Sequence, residues 1–486
     1  MAGIGFELKK LFSKKGLFAL VRAYGYAGVV CAGPMILGMI LLLGVHAIAM
    51  YSGIPNQERE LLSCMITYTL LASLLVTNVI SMVTTRYIAD MLYMEKQKKI
   101  MPSFYGSTGL LMGIGGVIYG IFLIFSGVAF IYKILCFVYF MEMIVVWMQI
   151  NYLTAVKDYK GILSAFAIAV LVSLGLGFGL VYFGAPVVTT LLLCICAGYG
   201  IMMVWYYYLL LQFFPKGRGS SLAFLQWFDK YPELIGVGTA ISIGLFAHLV
   251  IMWFGPLGVN VKGLFYGAPT YDVPALFAFI SILPTTINFV TSVEVNFYPK
   301  YKIYFALYNG DGSIIDIEQA KTQMTSVLQK ELSYTFTKQF FVSVVFIVAG
   351  TLLIPKLPFG FTEEMLGIYR VLCIGYAFYA AANCMMLLSL YFSDNKGALV
   401  ESVVYAVTAV AGTIIFMFLD KRYYGFGFLV GGVLFTVVSL LRLWLYLNKL
   451  DYHVISTQPL QKIERRGIAT KISEYFDNSS AMHKNE

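Results

Sequence analysis

The feature that most constrains this chain is a series of apolar stretches, each long enough to cross a lipid bilayer as a helix. Such a helix needs about 20 mostly apolar residues at a rise of about 1.5 Å each. With 59% hydrophobic and only 12% charged residues, the chain is predicted to be an all-α polytopic membrane protein. The predicted spans, about twelve in number, are 26–50, 61–85, 104–125, 129–155, 161–182, 186–212, 233–254, 273–298, 338–355, 365–392, 398–419 and 426–448.

Lys and Arg residues are concentrated in alternate connections between these spans, on what we call the basic side. Because cytoplasmic loops carry the Lys/Arg excess, the basic side is predicted to be cytoplasmic. An even number of spans then places both termini in the cytoplasm, in a multi-pass protein of the cytoplasmic membrane. Anionic lipids account for the net charge of +9, so no nucleic-acid partner is expected. The opposite connections contain only Arg59, Lys262, Lys356, Lys421 and Arg422.

Polar segments divide the chain into five predicted parts. The first is amphipathic, with Lys9, Lys10, Lys14 and Lys15 beside large apolar residues, and is expected to lie on the membrane surface. The parts are an N-terminal interfacial helix (1–25), a first six-helix bundle (26–212), a cytoplasmic linker (213–232), a second six-helix bundle (233–449) with a cytoplasmic helical arm (299–337), and a cytoplasmic tail (450–486).

The two halves carry short similarities that indicate a parallel duplication. His46 to Gly53 at the end of span one resembles His248 to Gly255 at the end of span seven. In span two, Asn78-Val-Ile-Ser81 resembles Asn288-Phe-Val-Thr291 in span eight. Six spans per half give both halves the same orientation.

The arm between spans eight and nine is predicted to contain an amphipathic helix. Ser313-x-x-Asp316 has the pattern of a capping box. An apolar face follows, and it is expected to pack either on the bundle or on a partner protein. This partner-arm face consists of Ile317, Met324, Leu328 and Leu332.

Enzymatic activity is not expected. The arm and tail are too short for a catalytic domain, and the phosphate-binding G-x-x-x-x-G-K-[ST] loop is absent from the sequence. All seven Cys lie in apolar spans, where Cys behaves as a small hydrophobe. We therefore predict no catalytic residues, metal or cofactor.

Charged residues within spans are candidates for function because a charge in the bilayer is costly. Glu142 lies near the middle of span four, and Gln149 follows seven residues later on the same face. The pair is expected to line a transport path or to form a structural contact. Glu294, Glu401 and Arg442 lie near the basic-side ends of spans, and Arg370 lies near an opposite end, so these side chains can snorkel to water. Glu294 and Arg370 are retained as path candidates.

Span eight has a polar face next to Pro284, which is expected to bend the helix. Irregular backbone at membrane depth survives only beside protein or a water-filled cavity. The polar face therefore lines a cavity or makes hydrogen bonds between helices, and the same alternatives apply to span two. The candidates are Thr285, Asn288, Thr291 and Ser292 in span eight and Asn78 and Ser81 in span two.

Several segments resemble the PelG family, the membrane subunit of the Pel exopolysaccharide export system. They are Met1-Ala-Gly-Ile-Gly-Phe-Glu-Leu-Lys-Lys10, Arg22-Ala-Tyr24, Ala32-Gly-Pro34, the region from Pro284 to Tyr298, and Tyr308-Asn-Gly310 through Asp316-Ile-Glu-Gln-Ala-Lys321. The resemblance implies a fold like that of multidrug and polysaccharide flippases (MATE-like), with two six-helix bundles around a central cavity. It also implies export of an N-acetylhexosamine-rich polymer together with a cytosolic glycosyltransferase and other Pel-type membrane subunits.

Two other functions remain open at this point. An ion-coupled flippase or exporter of a lipid-linked oligosaccharide or small cation would use a central carboxylate such as Glu142. A non-transporting scaffold would instead hold a polysaccharide synthase at the membrane through the arm and the tail.

Overall fold

The computed structural model describes residues 17–156, 158–217, 219–310, 312–356, 360–456 and 467–482, and these are almost entirely helical. Residues 1–16 of the predicted interfacial helix lie outside the described residues. The helices are α1 (Leu17–Tyr51), α2 (Asn56–Tyr93), α3 (Ile100–Phe125), α4 (Phe130–Val156), α5 (Tyr159–Tyr182), α6 (Val187–Phe213), α7 (Gln226–Lys230), α8 (Pro232–Trp253), α9 (Pro269–Phe279), α10 (Leu283–Thr291), α11 (Tyr298–Tyr308), α12 (Ile314–Leu353), α13 (Glu363–Tyr391), α14 (Asn395–Met417), α15 (Phe426–Asn448), α16 (Leu450–Ser456) and α17 (Ile468–Met482). Two strands, β1 (Val259–Lys262) and β2 (Phe265–Gly267), lie between α8 and α9.

The predicted membrane spans correspond to these helices. Within the described part of the chain, eleven helical segments are long and apolar enough to cross a membrane, and Ile36–Tyr51 of α1 is a shorter apolar stretch. Together they account for the twelve predicted spans. The prediction of an all-α polytopic membrane protein is confirmed.

The helices form two compact units. In the described part of the chain, the first-half unit contains 34–243, 258–268 and 467–482, and the second-half unit contains 17–33, 244–257 and 269–456. In the first-half unit, α4 packs between α2 and α6, with Tyr139 and Phe140 fully buried. In the second-half unit, α15 packs closely on both α13 and α14.

Glycines allow the close approach of α14 and α15. A Cβ at Gly427 would lie 2.2 Å from the backbone nitrogen of Thr413, and one at Gly431 would lie 2.8 Å from Ala409. Small residues at such positions let helix backbones touch where lipid provides no hydrophobic driving force between helices. Substitution of either glycine would force these two helices apart.

Span eight is built from several helical pieces. Helices α9 and α10 are joined by a short 3-10 turn at Ile280–Ile282, and Pro284 occupies the first turn of α10. A π-helical segment, Ser292–Phe297, then leads into α11. Pro299 has no backbone N–H, so it cannot donate the usual hydrogen bond to the preceding turn. The irregular backbone predicted near Pro284 is confirmed.

The predicted arm helix is the first half of a longer helix. Helix α12 runs continuously for 40 residues from the arm through span nine, so the predicted boundary between the arm (299–337) and span nine (338–355) does not interrupt the helix. The sequence between residues 329 and 341 contains no Gly or Pro that would interrupt a helix. The predicted capping box is present, because Ser313 Oγ accepts from the Asp316 amide and Asp316 accepts from the Ser313 amide.

The β1–β2 hairpin packs in the first-half unit, although the stretches of chain directly before and after it, 244–257 and 269–456, belong to the second-half unit. The strands pair antiparallel, and Gly263 makes the turn with a φ of 58°. Phe265 is completely buried against Tyr68 and Phe122. The Tyr68 hydroxyl donates to the Tyr266 carbonyl at 3.0 Å. The hairpin is therefore anchored on the ends of α2 and α3.

The tail helix α17 is held by the linker between the two sequence halves. Asp229 Oδ2 in α7 accepts hydrogen bonds from the Gly467 amide at 3.1 Å and from the amide and hydroxyl of Thr470 at 2.7 and 2.6 Å. Trp227 of α7 in turn donates to Asp90 of α2 at 2.8 Å. Asp229 thus acts as the N-terminal cap of α17, supplied from a distant part of the chain.

We predict that replacing Gly267 with Cys creates a disulfide bond with Cys64. A Cβ built at Gly267 lies 3.1 Å from Cys64 Sγ, with no other atom within 4 Å. A disulfide places each Cβ about 3 Å from the partner sulfur. Oxidation should form this cross-link, and mass spectrometry should then detect two fewer free thiols in the protein. The control Gly267→Cys/Cys64→Ser should form no cross-link. Absence of a cross-link in Gly267→Cys itself would contradict this placement of the hairpin.

We predict that Asp229→Ala releases α17, because loss of a side-chain cap costs about 1 kcal/mol. Faster hydrogen–deuterium exchange in 468–482 would show the release, and the exposed control Glu474→Ala should leave exchange unchanged. Unaltered exchange in Asp229→Ala would refute the cap.

The cap also predicts a pH dependence of tail docking. Burial alone would raise the pKa of Asp229, but hydrogen bonds from Thr470, Ala469 and Gly467 outweigh it and hold the pKa below its ordinary value. A lowered pKa stabilises the docked state above the unfolded pKa of about 3.9. Protection of α17 should therefore be complete at neutral pH and decline as the pH falls through the lowered pKa.

Candidate transport pathway

Glu142 lies on α4, facing α6. Its side chain is partly exposed, and a Cβ placed on Gly200 of α6 would lie 3.3 Å from Glu142 Oε1. The other carboxylate oxygen, Oε2, is buried and has no hydrogen-bond partner among the described residues. A carboxylate with an unsatisfied oxygen in the middle of a span is costly unless it meets water, a proton or a ligand. This arrangement keeps Glu142 as the leading path candidate.

Gln149 lies on the same helix but has different surroundings. Its side chain is only 1% exposed, and Nε2 donates to the Met203 carbonyl of α6 at 2.9 Å. The bond links α4 to α6 two turns from Glu142. The Nε2 atom thus makes a packing contact, whereas Oε1 is buried without a hydrogen-bond partner among the described residues.

The polar residues of α2 form a series of contacts with neighbouring helices. Asn78 donates to Ser242 of α8 at 2.8 Å, and Asn151 of α4 donates to Ser81 at 2.9 Å. Trp147 of α4 also donates to Ser73 at 3.2 Å. For span two, hydrogen bonding between helices is therefore the alternative that the structure favours.

The polar face of span eight packs against α12 in a buried seam. Asn288 donates to the Thr335 hydroxyl at 2.7 Å and accepts from Lys338 Nζ at 3.1 Å. Thr285 donates to Gln339 Oε1, and Gln339 Nε2 donates to the Ser281 carbonyl and to Ser343 Oγ. We call these residues the α10–α12 seam: Ser281, Thr285, Asn288, Thr335, Lys338, Gln339 and Ser343.

For Thr285 and Asn288, hydrogen bonding with α12 is the alternative that the structure favours. The sequence analysis did not identify the α12 side of the seam, although Thr335, Gln339 and Ser343 recur at intervals of four residues. That spacing places them on one helical face. It could have revealed the polar partner of span eight.

The remaining path candidates are Thr291, Ser292, Glu294 and Arg370. Thr291 donates to the Ile287 carbonyl of its own helix at 2.9 Å, and Ser292 is buried at the start of the π-helical segment. The side chain of Glu294 lies outside the described residues. Arg370 donates to Thr351 of α12 at 3.2 Å.

The apolar face of the arm is covered largely by the chain itself. Met324 and Leu328 are 0% and 2% exposed, in a cluster with residues of α11, α13, α15 and α16, and Ile317 and Leu332 pack at its edge. This face was expected to pack either on the bundle or on a partner protein. The helices of the bundle cover most of it. Asp451 of α16 reinforces the contact by accepting from Tyr304 at 2.8 Å and from Lys321.

A second buried ionisable group was missed by the sequence analysis. Glu401 was expected to snorkel from the end of its span, but its exposure is 0%. Its Oε1 accepts from Ser389 at 3.0 Å. Nearby, Arg442 makes a two-pronged contact with Asp394, at 2.7 Å from Nε and 2.8 Å from Nη2. Packing of α13 and α15 around α14 keeps Glu401 from reaching water.

Asp394 is part of a motif repeated in the two halves. Asp158-Tyr-Lys-Gly161 precedes span five, and Asp394-Asn-Lys-Gly397 precedes span eleven. Each Asp accepts from the Gly amide at 3.0 Å and caps the following helix. This motif supports the predicted duplication and was visible in the sequence.

Among the described residues, no group of three or more His, Cys, Asp or Glu is placed to hold a metal ion.

We predict that Gln339→Leu destabilises the protein by about 1–3 kcal/mol, because Thr285 and Ser343 would lose a buried hydrogen-bond partner. Detergent or thermal unfolding of the purified protein measures the loss. The matched control Gln323→Leu, at an exposed position of α12, should change stability by only about 0.5 kcal/mol or less. Equal stability of the two variants would contradict the seam.

Comparison with solved structures shows which known folds this chain resembles. An outward-facing multidrug resistance MATE family transporter of the MOP superfamily is 15% identical, with a TM-score of 0.59 over 93% of this chain and 100% of that chain. An inward-facing MATE family transporter is 13% identical, also with a TM-score of 0.59, over 89% of this chain and 100% of that chain. A MOP superfamily transporter from Pyrococcus furiosus is 12% identical, with a TM-score of 0.57 over 93% and 99% of the two chains. These identities show similarity of fold alone.

Sequence comparison identifies the family. No curated protein sequence matches the chain significantly. The family model described as "PelG: Putative exopolysaccharide Exporter (EPS-E)" matches residues 1–455, nearly the whole chain. The chain therefore belongs to the PelG family of membrane exporters and has the fold of MATE-type transporters.

Proposed function

We propose that this protein moves a Pel-like, N-acetylhexosamine-rich polymer across the cytoplasmic membrane. In this proposal it works with a cytosolic glycosyltransferase that extends the polymer and with other Pel-type membrane subunits, and both of its termini are cytoplasmic. The observation that carries the proposal is the PelG family match over residues 1–455. The MATE-type fold supports a transport role, because its solved members are transporters.

Three basic side chains within the spans donate to partners inside the protein, which suits a neutral cargo. Arg442 is engaged by Asp394, Lys338 by Asn288, and Arg370 by Thr351. An acetylated sugar chain offers hydroxyl and amide groups and carries no charge to be matched. Few strong charges are then needed along its route.

Glu142 is the residue we assign to the path. Its unsatisfied Oε2 is able to accept a hydrogen bond from a sugar hydroxyl or from water. Its partial exposure on α4 leaves it reachable. Gln149, Asn78 and Ser81 then act by holding the helices around it.

An ion-coupled exporter of a lipid-linked oligosaccharide or a small cation is the second candidate. The same Glu142 carboxylate favours it, since a buried acid is able to carry a proton. The third candidate is a scaffold without transport, which would hold a polysaccharide synthase through the arm. It is weakened because Met324 and Leu328 are already covered by the chain's own helices.

The proposal is tested by polymer secretion in cells lacking the gene and complemented with variants. Polymer retained inside deleted cells supports export, whereas loss of all polymer, inside and outside, favours a scaffold. Glu142→Leu at normal protein level should lower secretion about tenfold or more, since a hydrogen bond to a charged group contributes about 1.5–3 kcal/mol.

Glu142→Gln separates the two transport readings. Gln retains the hydrogen-bonding oxygen but cannot titrate, so secretion should persist if Glu142 only contacts polymer and should fail if it carries a proton. The exposed control Glu318→Gln should secrete normally. Full secretion by Glu142→Leu would show that Glu142 does not lie on the path.

A further inference from the structure

We propose that the tail helix α17 is a membrane anchor, which inserts its apolar face into the anionic headgroup region of the surrounding bilayer on the basic side of the protein. The family model matches residues 1–455, and α17 lies beyond that stretch, so the anchor does not follow from family membership. It is also independent of the identity of the exported polymer.

Helix α17 packs on the protein with its small and polar side chains. Thr470 and Ser473 are buried, and Ala469 packs against the apolar core of the first-half unit. The neighbouring elements are α7 and the 3-10 turn Ala223–Leu225. An amphipathic helix on the surface of a water-soluble domain would instead bury its apolar stripe.

The large apolar side chains of α17 lie outside this contact. Ile468 and Tyr475 are 77% and 72% exposed, and Ile472 is 44% exposed. Phe476 makes an edge contact with Tyr475 and is itself half-exposed. Spacings of three and four residues place these side chains on one helical face. Contiguous exposed apolar surface of this kind is typical of a site that contacts protein or membrane.

The helix has three different faces. At 3.6 residues per turn, the docked face, the apolar face and a charged face with Lys471 and Glu474 are separated by about 120° from one another. Lys471 and Glu474 are both exposed. A helix that lies in the membrane interface beside a bundle needs one face for the protein, one for the acyl chains and one for water. The pattern of α17 meets all three requirements.

The linker on which α17 packs lies where a span begins. Lys98 and Lys99 are exposed directly before α3, and the predicted span starts at residue 104. A Cβ on Gly217 would lie 2.6 Å from the Lys98 carbonyl oxygen. A Cβ on Gly106 would lie 2.6 Å from the carbonyl carbon of Ser221. The linker therefore crosses α3 at the boundary between a basic connection and an apolar span, which is the level of the lipid headgroups.

Hydrogen bonds hold α17 at this level. Asp229 of the linker accepts from the amides of Gly467 and Thr470 at the start of α17. Trp227 in the same linker helix donates to Asp90 near the end of α2. The first turn of α17 is thus tied to the end of a membrane span, and its apolar face needs no further movement of the bundle to reach lipid.

The charge of the tail favours anionic lipid as the occupant of the apolar face. Lysines and arginines clustered beside an amphipathic helix are attracted to anionic headgroups. In the stretch 462–471 the basic residues are Lys462, Arg465, Arg466 and Lys471, against a single acid, Glu464. Tyr475 adds an aromatic ring with a polar tip, a side chain that is enriched at the membrane interface.

The test uses the purified protein in nanodiscs of phosphatidylcholine with or without phosphatidylglycerol. A fluorophore is attached at Tyr475→Cys or, as the matched control on the charged face, at Glu474→Cys, and one lipid carries a quencher near the top of its acyl chain. Quenching at 475 should exceed that at 474 about twofold or more, because the apolar face of an interfacial helix lies roughly 5–10 Å into the headgroup and acyl boundary. Unsubstituted protein labelled in parallel corrects for the native cysteines. Equal quenching at the two positions would overturn the proposal.

The lipid charge is tested in the same system. Quenching at 475 should be stronger with phosphatidylglycerol present, and Arg465→Gln/Arg466→Gln should remove most of that difference. The control Lys262→Gln/Lys356→Gln, at exposed positions of the opposite connections, should leave the difference unchanged. Quenching that ignores phosphatidylglycerol in the otherwise unaltered protein would refute the assignment to anionic lipid.

Hydrogen–deuterium exchange of the unsubstituted protein provides a second measurement if the labelled variants do not fold. Residues 468–482 should exchange more slowly with phosphatidylglycerol than without it, and equal exchange would contradict the anchor. A probe at 475 that is shielded only after a partner protein is added would assign the apolar face to that protein, and the proposal would be wrong. Neither readout involves polymer, so a protein that binds lipid through its tail but secretes no polymer would retain the anchor while losing the proposed function.

Discussion

The constraint on which the rest of this structure depends is that a polar group inside the bilayer must find its partner within the protein. Water is absent at that depth, and an unsatisfied group costs several kcal/mol. Helices cannot be attracted to one another by the hydrophobic effect there, because lipid is as apolar as their own side chains. Hydrogen bonds and close backbone contacts therefore decide which helices become neighbours. Two examples are the hydrogen bond from Gln149 to the Met203 carbonyl and the hydrogen bond from Asn288 to Thr335.

The same constraint explains why the exceptions are informative. Among the described residues, several buried polar atoms lack a hydrogen-bond partner, and the Oε2 oxygens of Glu142 and Glu401 are two of them. Native proteins keep unpaired buried groups where a ligand, an ion or a proton completes the contact. One of these acids lies in each half of the chain. Their surroundings differ, because Glu142 is partly exposed and Glu401 is fully enclosed.

The two halves of the chain share one local motif and differ in their irregular segments. Both retain an Asp-capped turn before their fifth span, at Asp158 and Asp394. In the described part of the second half, Arg442 pairs with the capping Asp394, and span eight is divided into α9, α10, a π-helical segment and α11. A continuous helix resists local rearrangement, whereas 3-10 and π segments often mark functional hinges. The second-half unit therefore carries more of the irregular backbone.

The sequence by itself determined the number and position of the spans, the capping box at Ser313, the break near Pro284 and the family. Each depends on local composition or on residues a few positions apart. It also indicated which residues were polar within spans, including Glu142, Asn78 and Asn288. The contacts of polar residues depend on tertiary packing. Thr285 and Asn288 contact α12, and Glu401 is enclosed by α13 and α15. Asp229 caps α17 through the amide of Gly467, which lies 238 residues further along the chain. Periodicity identifies the polar face of a helix, but a partner far along the chain is selected by the packing of several helices at once, and a single sequence carries no local signal for that choice.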